Sequence, residues 1–146
     1  MPITTPTPTD DWLTRLQAND YRITAPRRAV VEIVAHSQRV LNPAEVFRLA
    51  RRRYPALGLV TVYRTLEKLE ELGLVKRVHQ PSGCHTFIAA ADGHQHLLIC
   101  QGCGLAEYFS GDNLGTLMNS IGQRSGYTIQ EHWLQLFGLC ADCQTK

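Results

Sequence analysis

Four of the five cysteines fall into two matched pairs, Cys100-Gln101-Gly102-Cys103 and Cys140-Ala141-Asp142-Cys143, with 36 residues between them. A two-residue spacer lets one knuckle of backbone present both sulfurs to the same ion at ~2.3 Å, so two such pairs can complete a tetrahedral zinc site. Four thiolates leave no open position for water or substrate, and the zinc this spacing predicts is structural. Two separate redox dithiols, or four unrelated core cysteines, are the alternatives that the matched pairing weighs against. Just ahead of the first pair, His94-Gln95-His96 sets two imidazoles two residues apart. On a strand both would face one way, giving a second group of candidate ligands.

Enzymatic chemistry fits this arrangement poorly. A zinc deaminase needs His-x-Glu with Pro-Cys-x-x-Cys and an open zinc position. This chain has His-x-His, no proline before either cysteine pair, and a closed four-sulfur set. No phosphate-binding loop, nucleophile elbow or dinucleotide fingerprint occurs, so neither an enzyme nor a small-molecule substrate is expected. No run of 18 apolar residues occurs either, so no membrane partner is expected. Met1–Asp10 is rich in Thr and Pro, with no basic region and no apolar core. It reads as a frayed tail rather than a signal peptide. Cysteines left free for zinc suggest a reducing, cytoplasmic setting.

The elements that must position these residues fall into two parts, with 146 residues enough for one large domain or two small ones. Residues 1–83 carry 13 Lys/Arg against 8 Asp/Glu, a balance of +5, and residues 84–146 carry 2 against 5, a balance of −3. A basic half joined to an acidic half fits a nucleic-acid module followed by a regulatory or assembly module, the alternative being a solvated surface with no partner. Asp11–Asn19 reads as a short helix. Thr24 caps a second with Pro26 in its first turn, and Asn42-Pro43-Ala44-Glu45 opens a third with a capping box. A fourth helix runs from Leu59 or Thr61 to Leu72, with Val62, Leu66 and Leu69 buried, Thr61, Tyr63, Arg64, Thr65 and Lys68 outward, and Gly73 as the stop. Two strands, 74–79 and 85–89, flank the turn Pro81-Ser82-Gly83. Helices followed by a hairpin make a winged helix-turn-helix over 11–88, with the fourth helix reading DNA.

The remainder, 94–146, reads as a small α/β domain reached through a hinge at 89–93, the whole chain being α+β. Strands are expected over 94–100, 105–109 and 127–139. A helix over 112–124 would turn Leu114, Leu117, Met118 and Ile121 inward. About 55 residues make a marginal core, which gives zinc a folding role and makes oligomerisation expected.

Several of these segments recur in a fixed order. They are Arg22-Ile23-Thr24-Ala25-Pro26-Arg27, Thr61-Val62-Tyr63-Arg64-Thr65-Leu66, Gly73-Leu74-Val75, and His94-x-His96 leading to Cys100-x-x-Cys103-Gly104. His132 and Cys140-x-x-Cys143 complete the set. Together they resemble the ferric uptake regulator family of bacterial metal-dependent repressors, over roughly 12–143. The resemblance implies an N-terminal winged helix, a C-terminal dimerisation domain and a homodimer. It further implies repression of metal-homeostasis genes, from a near-palindromic operator in double-stranded DNA, when the sensed metal is bound.

The family's reading helix opens at the Thr-Val-Tyr-Arg segment, which carries DNA contact onto Tyr63 and Arg64, with Arg27 as a phosphate partner. Chemistry agrees: Arg can clamp a guanine edge and Tyr can touch a thymine methyl, and the outward Thr61 and Lys68 extend the surface. The alternative packs Tyr63 in the core and pairs Arg64 with Glu67. The family's metal site in the dimerisation domain matches His94, His96 and His132. The position where it usually adds a Glu is Gly115 here, leaving Glu107 or Asp112 to substitute. A second family site near the hinge departs at Leu97, where a His is usual. Cys84, His79 and His85 are offered in its place, the alternative for Cys84 being a small partly buried thiol in the wing. A thiolate would favour zinc over ferrous iron as the sensed ion. The alternatives within the family are an iron-sensing or a peroxide-sensing repressor. Outside it, the alternative is a zinc carrier or adaptor that does not bind DNA.

Overall fold

The computed structural model describes residues 7–146, which divide after Ala90 into two compact units. The chain is α+β throughout, and no helix among the described residues is long and apolar enough to cross a membrane.

The first unit contains α1 (Pro8–Ala18), α2 (Ala25–His36), α3 (Pro43–Arg51), α4 (Leu59–Glu71), β1 (Val75–His79) and β2 (His85–Ala89). Residues 1–6 of the expected tail lie outside the described residues. Beyond them the chain is already helical: Thr7 accepts a hydrogen bond from the Asp10 N–H and Pro8 opens α1. Pro at the first helical position gives up an N–H that has no intrahelical partner anyway. The same device starts α2, where the Thr24 hydroxyl accepts the Arg27 N–H. In α3 the capping box is complete, with Asn42 Oδ1 accepting the Glu45 N–H and Glu45 Oε2 accepting the Asn42 N–H, each at 2.8 Å. Leu16, Val30, Val34, Val46, Val62, Leu66 and Leu69 meet in one apolar cluster.

The expectation that Thr65 faces outward is corrected. Thr65 is fully buried, its hydroxyl donating to Thr61 O at 2.7 Å and lying 3.4 Å from Tyr21 Oη. A small side chain that can return its hydroxyl to the helix backbone tolerates that position. β1 and β2 pair antiparallel, and Phe87 exchanges backbone hydrogen bonds with Leu41 on its other side (2.8 and 3.0 Å).

The second unit contains β3 (His96–Cys100), β4 (Ala106–Phe109), α5 (Gly115–Ser125), β5 (Gln135–Gly138) and α6 (Ala141–Gln144). β3 is central in the order β4-β3-β5, antiparallel to β4 and parallel to β5, with Leu97 opposite Gln135 and Cys100 opposite Gly138. Three expectations are corrected. His94 lies in a bend before β3, the long strand over 127–139 shrinks to β5, and α5 begins at Gly115, which leaves Asp112 in the loop before it. The helix's expected inward face is also open, with Leu117 51% and Ile121 41% exposed. Its apolar spacing is helical, but among the described residues of this unit no further layer covers it.

Candidate metal centres

Cys100 ends β3, Cys103 sits in the turn to β4, Cys140 immediately precedes α6 and Cys143 lies within it. The four sulfurs lie within 4.8 Å of one another, and Cys103 Sγ is 3.8 Å from Cys140 Sγ. Sulfurs placed tetrahedrally ~2.3 Å from a zinc are ~3.8 Å apart, so the set fits that ion. The Cys140 N–H donates to Cys100 Sγ at 3.3 Å. With further help from the backbone of Cys103 and Gly102, it holds the Cys100 thiol down at about 6. Cys143 moves the other way, to about 12, chiefly through its hydrogen bond with Cys140. Within the set, one sulfur is thus favoured as the thiolate and another as the thiol. Glycine in the first spacer leaves room for the fourth sulfur: a Cβ on Gly102 would lie 2.9 Å from Cys143 Sγ and displace it.

The second cluster joins His94, His96, Asp112 and His132, again with one ligand atom from each within 4.8 Å of the rest. His94 Nε2 is 3.3 Å from His132 Nε2, and Asp112 Oδ2 lies 2.9 Å from His132 Nε2 and in close contact with His96 Nε2. Ligands at ~2.0–2.1 Å around a tetrahedral ion are ~3.3–3.4 Å apart, so these spacings are of the right size. His96 has no exposed surface and accepts the Leu134 N–H at its Nδ1 (3.2 Å). That bond puts the ring proton on Nε2, where the Asp112 carboxylate accepts it and where a cation held by this group would take its place. Hydrogen bonds from His132 first, then His96, hold Asp112 well below the ordinary carboxylate range. Its other oxygen accepts the Leu114 N–H at 3.2 Å. Trp133 Nε1 donates to Gln95 O at 3.2 Å, tying the two histidine-bearing segments together.

Of the two carboxylates expected as substitutes, Glu107 is excluded from this group. It sits opposite Leu98, two residues along β3 from His96, and is exposed. Asp112 arrives from the loop after β4, so its approach depended on tertiary folding that strand spacing does not encode. The wing residues are only partly gathered. The His79 and His85 rings stand edge to face with centroids 4.7 Å apart, but Cys84 is exposed and does not complete a three-ligand group with them.

On α4, Tyr63 is 48% exposed and Arg64 is exposed, with no ion pair to Glu67 among the described residues. Thr61, at the start of the same helix, is half-buried. Lys68 pairs with Glu71 at 3.2 Å, while Arg27 donates to Arg22 O and lies over the Tyr21 ring, 4.3 Å from its centroid. Gly102 and the Leu134 N–H were missed by sequence reasoning. A glycine inside a Cys-x-x-Cys spacer was the available signal for the first, and nothing local marked the second.

The profile of the ferric uptake regulator family matches residues 18–137. A ferric uptake regulation protein of Cupriavidus metallidurans is 35% identical over 125 residues, which are 84% of this chain and 87% of that protein. Among solved structures, the Helicobacter pylori ferric uptake regulator shares the fold with a TM-score of 0.71 at 22% identity, covering 93% of each chain. A zinc uptake regulator solved with zinc and DNA does so with a TM-score of 0.68 at 19% identity, covering 97% of each chain. The chain belongs to the ferric uptake regulator family, whose members are metal-dependent transcription regulators rather than enzymes.

Proposed function

We propose that the chain is a zinc-responsive repressor that binds a near-palindromic operator as a homodimer. In this reading His94, His96, Asp112 and His132 sense the ion, and the four cysteines hold a structural zinc. The observation that carries it is the convergence of three imidazoles and one carboxylate oxygen in a group separate from the four sulfurs. Cys84 is exposed and forms no three-ligand group with His79 and His85, so the case for zinc does not rest on it. What supports zinc is the number and type of ligands: a four-membered set of nitrogen and oxygen donors suits a tetrahedral ion. Bound there, zinc would supply the positive charge that joins the segment before β3, the loop after β4 and the segment before β5.

The chain's own groups do the rest. Asp112 is ionised through the physiological range and offsets the ion's charge, and the histidines must be neutral to offer a lone pair. Protons therefore compete with the ion for those nitrogens, and loading releases protons. On the first unit, Tyr63 and Arg64 are the exposed base-reading candidates, with Thr61, Arg27 and Lys68 for phosphates. Metal and operator are linked reciprocally: whatever factor zinc adds to DNA affinity, operator adds to zinc affinity.

The test starts from protein retaining only its structural zinc. Zinc, and ferrous iron under anaerobic conditions, are titrated while operator affinity is followed for the parent, His96→Ala, Asp112→Asn and Arg64→Ala. His96→Ala and Asp112→Asn should lose the zinc response, and Arg64→Ala should bind ~1–3 kcal/mol more weakly at full zinc loading. A normal response in His96→Ala removes the sensing role from this cluster. Activation by ferrous iron at far lower free concentration than zinc reassigns the ion.

A further inference from the structure

The wing carries a feature that neither cluster of the second unit uses. His79 and His85 are direct cross-strand partners at the turn end of the β1–β2 hairpin, and both are exposed. The turn beyond them is closed by the Gln80 N–H donating to Cys84 O and the Gly83 N–H donating to Gln80 O, each at 2.9 Å. Gly83 takes the left-handed conformation this turn requires (φ +88°). Because Gln80 and Cys84 share a hydrogen bond, the alternation of an antiparallel ladder makes His79 and His85 a non-hydrogen-bonded pair. Such pairs bring their Cβ atoms closest, to ~4.5–5.5 Å. The two rings stand edge to face with centroids 4.7 Å apart.

From this geometry we infer that His79 and His85 form an accessory binding site for a late first-row divalent cation. It is held by two imidazoles, with water in the remaining positions. Imidazole nitrogen suits zinc, nickel and copper, and a rigid hairpin presents both rings with little ordering left to do. Cys84 is not a ligand: among the described residues, the only groups of three or more close metal-ligating side chains are the two in the second unit. The site adjoins a cavity of about 500 Å³ lined by Tyr63 and Glu67 of α4 together with Arg77, Cys84 and His85. A cation at its mouth would add positive charge beside the exposed tyrosine of α4. The inference does not rest on the sensing cluster, and it stands or falls separately from it.

The experiment uses the full chain with both clusters of the second unit saturated with zinc. Ni²⁺ is titrated by calorimetry, and paramagnetic broadening of backbone amide signals maps where it binds. The expected result is Ni²⁺ uptake with broadening centred on residues 78–87, abolished by His79→Gln and by His85→Gln and retained in Cys84→Ser. Both histidines are on the surface, so unchanged zinc content confirms that the variants fold. Undiminished uptake in either histidine variant overturns the inference. So does loss of uptake in Cys84→Ser, or broadening centred outside the wing.

Discussion

Leu16, Val30, Val46, Leu66 and Leu69 have almost no exposed surface in the first unit, whereas the largest fully buried side chains of the second are Leu97, Ile99 and a candidate metal ligand, His96. The first unit closes its apolar residues around one cluster. The second leaves Leu98, Leu117, Ile121, Tyr127, Trp133 and Leu136 exposed. At ~25 cal/mol per Å² of buried apolar surface, a core this small offsets little chain entropy. Two ligand clusters stand where buried apolar residues would otherwise be. The difference teaches that one half closes on its own apolar cluster, while the other carries two groups of ligand side chains beside a small core and an exposed apolar surface.

The largest effect that would break this contrast is removal of the structural metal. Chelation, or Cys143→Ser, should release the zinc proposed for the cysteine cluster, about one per chain, and unfold the second unit, since structural zinc contributes ~10–16 kcal/mol in zinc-finger peptides. Amide signals of residues 96–144 should collapse while those of residues 25–89 persist. A second unit that stays folded without zinc would show that its own core suffices. The converse change is Leu16→Ala. Leaving a hole in the first unit's cluster should cost ~2–5 kcal/mol of its stability, read as a lower melting temperature by calorimetry, with zinc content unchanged. The smallest effect expected is from Asn42→Ala, which deletes half of the α3 capping box. It should cost ~1 kcal/mol in denaturant titrations of the first unit alone.

How much was legible follows from how local each signal is. The α3 capping box needs only Asn42 and Glu45, and the cysteine pairs need only a two-residue spacer, so both could be read directly. Thr7-Pro8 has the same grammar as Thr24-Ala25-Pro26, yet it sits in a Thr/Pro-rich run that also reads as tail. The choice of Asp112 over Glu107 was not local, since it depends on how the loop after β4 returns toward His96. Thr65 faced the wrong way in the sequence reading because its hydroxyl is satisfied within its own helix. On α5 the helical spacing was right but its inward direction was not, because periodicity identifies an apolar face without saying what covers it.

The parallel pair β3·β5 carries a further consequence. β3 begins with His96 of one cluster and ends with Cys100 of the other, while β5 lies between His132 and Cys140. Sliding one strand past the other by a single residue, ~3.3 Å, would break both ligand sets together and turn the strand's side chains to the opposite face. With both clusters filled, they would act as pins at either end of a short rail. Their joint occupancy would then select one alignment of β3 and β5 from among those that a four-residue ladder would tolerate.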